Sequence, residues 1–93
     1  MKTDPEIKAL FARYTRARVT KRDGVWVVKG KIDLSGKELV ELPFKGITYE
    51  VTGNFYCAFN QLTSLEGAPQ SVGRDFYCDE NQLTSLEGAP QKV

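Results

Sequence analysis

The chain has 93 residues, 41% hydrophobic and 27% charged, with 13 Lys/Arg against 12 Asp/Glu. That length holds one domain, and an ordinary apolar fraction with mixed charge signs excludes a disordered polyelectrolyte. Histidine is absent, which removes the commonest general base and metal ligand, and no apolar run reaches the length of a membrane span.

The near-neutral total conceals a split. Residues 1–31 carry nine Lys/Arg against three Asp/Glu, and residues 32–93 carry four against nine. The N-terminus, Met1-Lys2-Thr3-Asp4-Pro5, has no apolar stretch of a signal peptide, so the expected compartment is a cytoplasm. Asp4-Pro5 reads as a helix start, with Asp4 as N-cap and Pro5 at the first helical position, where its missing N–H costs little. Ile7, Leu10, Phe11 and Tyr14 follow the i, i+3, i+4, i+7 rule, which predicts an amphipathic helix over roughly residues 5–17. The densest basic run follows, with Arg13, Arg16, Arg18, Lys21 and Arg22 interleaved with Tyr14. Asp23-Gly24 marks a turn, and Val25-Trp26-Val27-Val28 reads as a strand with Trp26 in the core. Residues 1–30 are expected to cap what comes next.

Residues 31–93 are organised as a repeat. Phe55 to Gln70 is matched by Phe76 to Gln91 at an offset of 21, with differences only at 58/79 and 59/80. A degenerate copy lies upstream at an offset of 23: Ile32 and Leu34 align with the Phe and Cys positions, Lys37 with Asn, and Leu39 and Leu42 with the two Leu positions. Alternation puts Phe55 and Cys57 on one face of a short strand and Asn54, Tyr56 and Ala58 on the other. Leu62 and Leu65 turn inward on the return, and Gly67-Ala68-Pro69 sends the chain back. One such unit cannot bury its own apolar side, whereas stacked units cover one another. Asn60 and Asn81 follow the strand, where an inward amide bonds backbone groups of neighbouring units. The expected fold is therefore α+β: a short β-solenoid of about three rungs with an N-terminal helix and strand cap, in one domain.

The spacing Phe-x-Cys-x-x-Asn-x-Leu-x-x-Leu in 55–65 and 76–86 resembles the leucine-rich-repeat core. The Asn-Gln-Leu-Thr-Ser-Leu segment is similar to the short repeats of bacterial effector proteins, though Glu-Gly-Ala-Pro stands where those place prolines and leucines, and no ligase domain accompanies it. The closer resemblance, over about residues 30–93, is to small leucine-rich-repeat-like proteins of tailed bacteriophages, whose units end in Leu-Glu-Gly-Ala-Pro. It implies a protein–protein interaction module: a phage-encoded stoichiometric inhibitor or modulator of a bacterial host or defence protein.

Several residues are candidates for that contact. Outward columns place Lys31/Asn54/Asp75, Asp33/Tyr56/Tyr77 and Ser35/Ala58/Asp79 on the strand face, with Gly36/Phe59/Glu80 at its margin. Tyr56 and Tyr77 offer rigid amphipathic area, and Phe59, Asp75, Asp79 and Glu80 surround them. Val93 matches Val72, so the Phe76, Cys78, Leu83, Leu86 and Val93 edge is expected to be open and to pair as a homodimer or with a partner. Arg13, Arg16, Arg18, Lys21 and Arg22 carry the second reading, nucleic-acid binding. Asp75, Asp79, Glu80 and Glu87 lack a calcium loop and read as a solvated acidic face. Inward Cys57 and Cys78 read as reduced core residues, and Ser64 and Ser85 have no base nearby, so neither catalysis nor a metal or other cofactor is expected.

Overall fold

The computed structural model describes residues 2–90 and has an α+β fold with one helix and two open sheets. Helix α1 (Asp4–Ala12) is capped by Thr3, whose side-chain oxygen accepts the Glu6 N–H while the Glu6 carboxylate accepts the Thr3 N–H at 3.0 Å. The Thr3 N–H and the Thr3 hydroxyl, which donates to the same Glu6 carboxylate oxygen at 2.9 Å, hold the Glu6 carboxyl below its ordinary range. The cap is thus Thr3 and not Asp4, which sits in the first turn and pairs with Lys21 at 3.0 Å. The helix also stops at Ala12, short of the expected 17. Tertiary contacts end it: Tyr14 meets Phe44 edge-on at 5.6 Å, and the Thr15 hydroxyl donates to the Lys31 carbonyl at 2.7 Å and accepts the Ala17 N–H.

Strands β1 (Arg18–Arg22) and β2 (Val25–Lys29) form an antiparallel hairpin through Asp23 and Gly24, both at positive φ. The turn residues match that conformation, since Gly adopts it freely and Asp tolerates it. The remaining strands are β3 (Ile32–Asp33), β4 (Tyr49–Val51), β5 (Phe55–Tyr56), β6 (Ser71–Val72) and β7 (Phe76–Tyr77). One sheet has the order β1-β2-β4-β6 and is parallel beyond the hairpin; the other is β3-β5-β7, parallel throughout. Each repeat unit supplies one strand to each sheet. Strand β2, grouped with the cap above, hydrogen-bonds to β4 in register, so the stack begins before residue 31.

The register reproduces the sequence offsets. Trp26 opposes Tyr49 and Ile32 opposes Phe55, 23 residues apart, whereas Phe55 opposes Phe76 and Val51 opposes Val72 at 21. The two extra residues lie between Leu39 and Phe44. The Leu39 and Leu62 carbonyls accept from Gln61 and Gln82, keeping the 23-residue spacing, while the turn bonds Ile47→Phe44, Ala68→Leu65 and Ala89→Leu86 are spaced by 21. Phe44, not Leu42, therefore takes the turn position of Leu65, although Leu42 is buried as well.

The core is continuous from helix to repeats. Phe11 stacks on Phe44 at 4.6 Å and meets Tyr49 edge-on at 5.3 Å, with Trp26 beyond at 6.4 Å. This aromatic cluster closes the first unit, and fully buried Ile32, Leu34, Phe55, Cys57, Leu62 and Leu65 continue it. The Tyr49 hydroxyl donates to the Gly67 carbonyl at 2.7 Å, which makes a large ring acceptable in the interior. Neighbouring backbones approach closely at Gly73, whose N–H donates to the Val51 carbonyl at 2.8 Å; a Cβ there would collide with the Thr52 carbonyl.

The asparagines bind one unit to the next. Asn60 Oδ1 accepts the Lys37 and Leu39 N–H groups, each at 3.0 Å, and Nδ2 donates to the Leu34, Cys57 and Ala58 carbonyls. Asn81 repeats the pattern one unit on, accepting from Leu62 and donating to Cys57, Cys78 and Asp79. An aliphatic side chain at either place would strand backbone groups that the fold has removed from water.

Candidate binding face

The outer face of the β3-β5-β7 sheet brings the two candidate tyrosines together. The Tyr56 and Tyr77 rings stack with centroids 5.0 Å apart and planes within 3°. Parallel pairing at an offset of 21 places the same residue directly over itself, and each ring is then pinned at its hydroxyl. Asn54 Nδ2 donates to Tyr56 Oη at 2.6 Å, and Tyr77 Oη donates to Asp75 Oδ2 at 3.0 Å. The Asp75 N–H closes the network on Asn54 Oδ1 at 2.9 Å. The Asp75 hydrogen bond, followed by its charge, raises the Tyr77 pKa. The result is a rigid aromatic ledge with acidic neighbours, since Asp75, Asp79 and Glu80 are exposed and in no ion pair among the described residues.

Phe59 stands at the margin of this ledge and is 63% exposed. Its φ is +56°, matched by Gly36 at +65° and Glu80 at +53° in the equivalent turns. Glycine fits that left-handed conformation, whereas a bulky residue in it is an outlier costing about 1–2 kcal/mol. Ala58 departs from the outward column expected for it: it is 5% exposed, and its carbonyl accepts from Asn60 Nδ2.

The Cys57 thiol is interior, and Cys78 is half-buried. Burial, with the nearby Cys78 and Asp79, pushes the Cys57 pKa up to about 12, and burial raises Cys78 too. Both are free cysteines. Ser64 and Ser85 accept the N–H groups of Glu66 and Glu87 and serve the turns. Among the described residues no group of three or more Cys, Asp or Glu side chains is placed to hold a metal ion, and no helix is long and apolar enough to cross a membrane.

The edge residues are graded in exposure. Phe55, Cys57, Leu62 and Leu65 are fully buried, whereas their counterparts Phe76, Cys78 and Leu83 are half-buried and Leu86 is 67% exposed. Phe76 still stacks on Phe55 at 5.6 Å. Val93 lies outside the described residues.

The basic residues divide among three places. Arg13 and Arg16 line a hollow of about 460 Å³ with Lys31 and Asp33. Lys21 faces the core side, bonded to Asp4 and 5.4 Å from the Trp26 ring centroid. Arg18 and Arg22 point to the opposite side of the hairpin, where the register sets Lys29 directly across from Arg18. Lys29 was outside the sequence-derived set. Its place was readable from the two-residue Asp23-Gly24 turn, which fixes the cross-strand partners.

No protein-family model, curated protein or solved structure matches the chain.

Proposed function

We propose that the stacked units are a short leucine-rich-repeat-like β-solenoid whose tyrosine-bearing face binds another protein. The pinned Tyr56–Tyr77 ledge is the observation that carries this reading. Rings already fixed in place lose little entropy on docking, and tyrosine is enriched where interfaces concentrate their energy. Phe59 supports it, because an exposed aromatic held at positive φ costs stability with no packing gain to offset it. The carboxylates of Asp75, Asp79 and Glu80 suit a partner that presents a basic surface. The resemblance of residues 30–93 to small phage leucine-rich-repeat-like proteins supports a stoichiometric inhibitor of a bacterial host or defence protein, acting in the host cytoplasm and without catalysis of its own.

The test is capture from bacterial lysate with the wild-type chain and with Tyr56→Ala/Tyr77→Ala, followed by direct titration of the recovered protein. The double variant is expected to weaken binding at least a hundredfold while keeping the wild-type circular dichroism; unchanged binding refutes the assignment. Light scattering on the free chain checks the edge reading in parallel. A concentration-dependent dimer that Leu86→Lys and Phe76→Ser abolish supports pairing through Phe76, Cys78, Leu83 and Leu86, and a monomer at micromolar concentration refutes it.

A further inference from the structure

The outward face of the β1–β2 hairpin holds a cationic cluster that the fold does not require. Val28 and Trp26 are buried, so their cross-strand partners Val19 and Lys21 lie on the core side, and Arg18, Thr20, Arg22, Val25, Val27 and Lys29 share the other. Arg18 and Lys29 are direct partners in the ladder, about 5 Å apart at Cα. Like charges set opposite one another destabilise a hairpin. Neither they nor Arg22 forms an ion pair among the described residues. Strand β1 is a sheet edge, and edge strands carry charge to prevent stray pairing. That need would be met equally by a carboxylate opposite Arg18, with attraction in place of repulsion. The choice of two cations therefore points to an anionic ligand.

We propose that Arg18, Lys29 and Arg22 grip the sugar–phosphate backbone of a nucleic acid. Arg18 and Arg22 are separated by about 13 Å along the strand, so they reach separate phosphates. The exposed large hydrophobics are Val40, Phe59, Tyr77 and Leu86, none of them on this face. A protein interface draws on such anchors, whereas phosphate contacts need only charge and N–H donors. The face is separate from the tyrosine ledge, which lies on the other sheet, and does not rest on the protein-binding reading.

Fluorescence anisotropy with a labelled 20-base-pair duplex at 50–200 mM salt tests it. Three phosphate contacts give a slope of log K against log salt of about −2.7. Arg18→Ser/Lys29→Ser is expected to lower affinity at least tenfold at 50 mM salt and to flatten the slope by about 1.8. Lys21→Ser, on the opposite side, is expected to leave both unchanged. Arg18→Glu separates binding from folding: opposite Lys29 it creates an attractive pair, so its melting temperature is expected to hold or rise while binding falls. The proposal is overturned by wild-type protein that does not bind the duplex at 50 mM salt, by Arg18→Glu binding as wild type, by Lys21→Ser losing as much as the double variant, or by equal affinity for poly-glutamate.

Discussion

Replacing Asn60 by alanine probes the bonding that joins one unit to the next. The substitution leaves the Lys37 and Leu39 N–H groups without an acceptor and takes a donor from the Leu34, Cys57 and Ala58 carbonyls. An orphaned buried group costs about 1–3 kcal/mol, and partial access of water to the two N–H groups brings the expected total to about 3 kcal/mol. Asn81→Ala is the internal comparison. That amide satisfies one N–H, on Leu62, and is half-exposed, so the expected cost is about 1 kcal/mol. Urea unfolding measures both, with the difference appearing in the midpoint at constant m-value. In a thermal melt, Asn60→Ala is expected to fall by on the order of 15 °C. Equal losses for the two variants, or a loss below about 1 kcal/mol for Asn60→Ala, refute the ladder as a main source of stability.

Phe59→Asn relieves the left-handed strain and gives up little packing, so it is expected to raise stability by about 0.5–1 kcal/mol while weakening partner binding; a lower melting temperature contradicts the strain argument. Gly73→Ala drives a methyl group into the Thr52 carbonyl and is expected to cost about 2 kcal/mol or more in urea unfolding, whereas Gly36→Ala, with open space around it, costs only its positive φ. Burial holds the Cys57 thiol neutral, up to about 12 against an ordinary 9.0, so the unfolded chain loses its proton first as pH rises. That contribution to stability is complete below pH 9 and is lost from 9 toward 12 at about 1.4 kcal/mol per pH unit, measured by unfolding under reducing conditions. A Cys57→Ala variant is expected to flatten the limb between pH 9 and 10, and an unchanged slope refutes the assignment.

The inward residues were legible because the copies at 55–70 and 76–91 repeat the same pattern: Phe55, Cys57, Leu62, Leu65 and Asn60 lie where alternation and polar pairing put them. The offsets of 23 and 21 reappear as strand register. Phe44 and Tyr49 were not legible, because the degenerate copy sets aromatics where the later unit has Leu65 and Gln70, and they fit only once Phe11 arrives from the helix. The helix end was equally hidden. Nothing local stops a helix at Ala12, and the Thr15–Lys31 and Tyr14–Phe44 contacts that do so span the chain. Strand parity, applied to Arg18–Arg22 as it was to Phe55–Ala58, would have separated Lys21 from Arg18 and Arg22 and added Lys29.

The central claim is that the pinned tyrosine ledge is the contact surface for a protein partner. Isothermal titration of the captured partner against wild-type chain and Tyr56→Ala/Tyr77→Ala addresses it most directly. The account predicts one-to-one binding by the wild type and at least a hundredfold loss in the double variant, with folding intact. Equal affinity of the two proteins contradicts it.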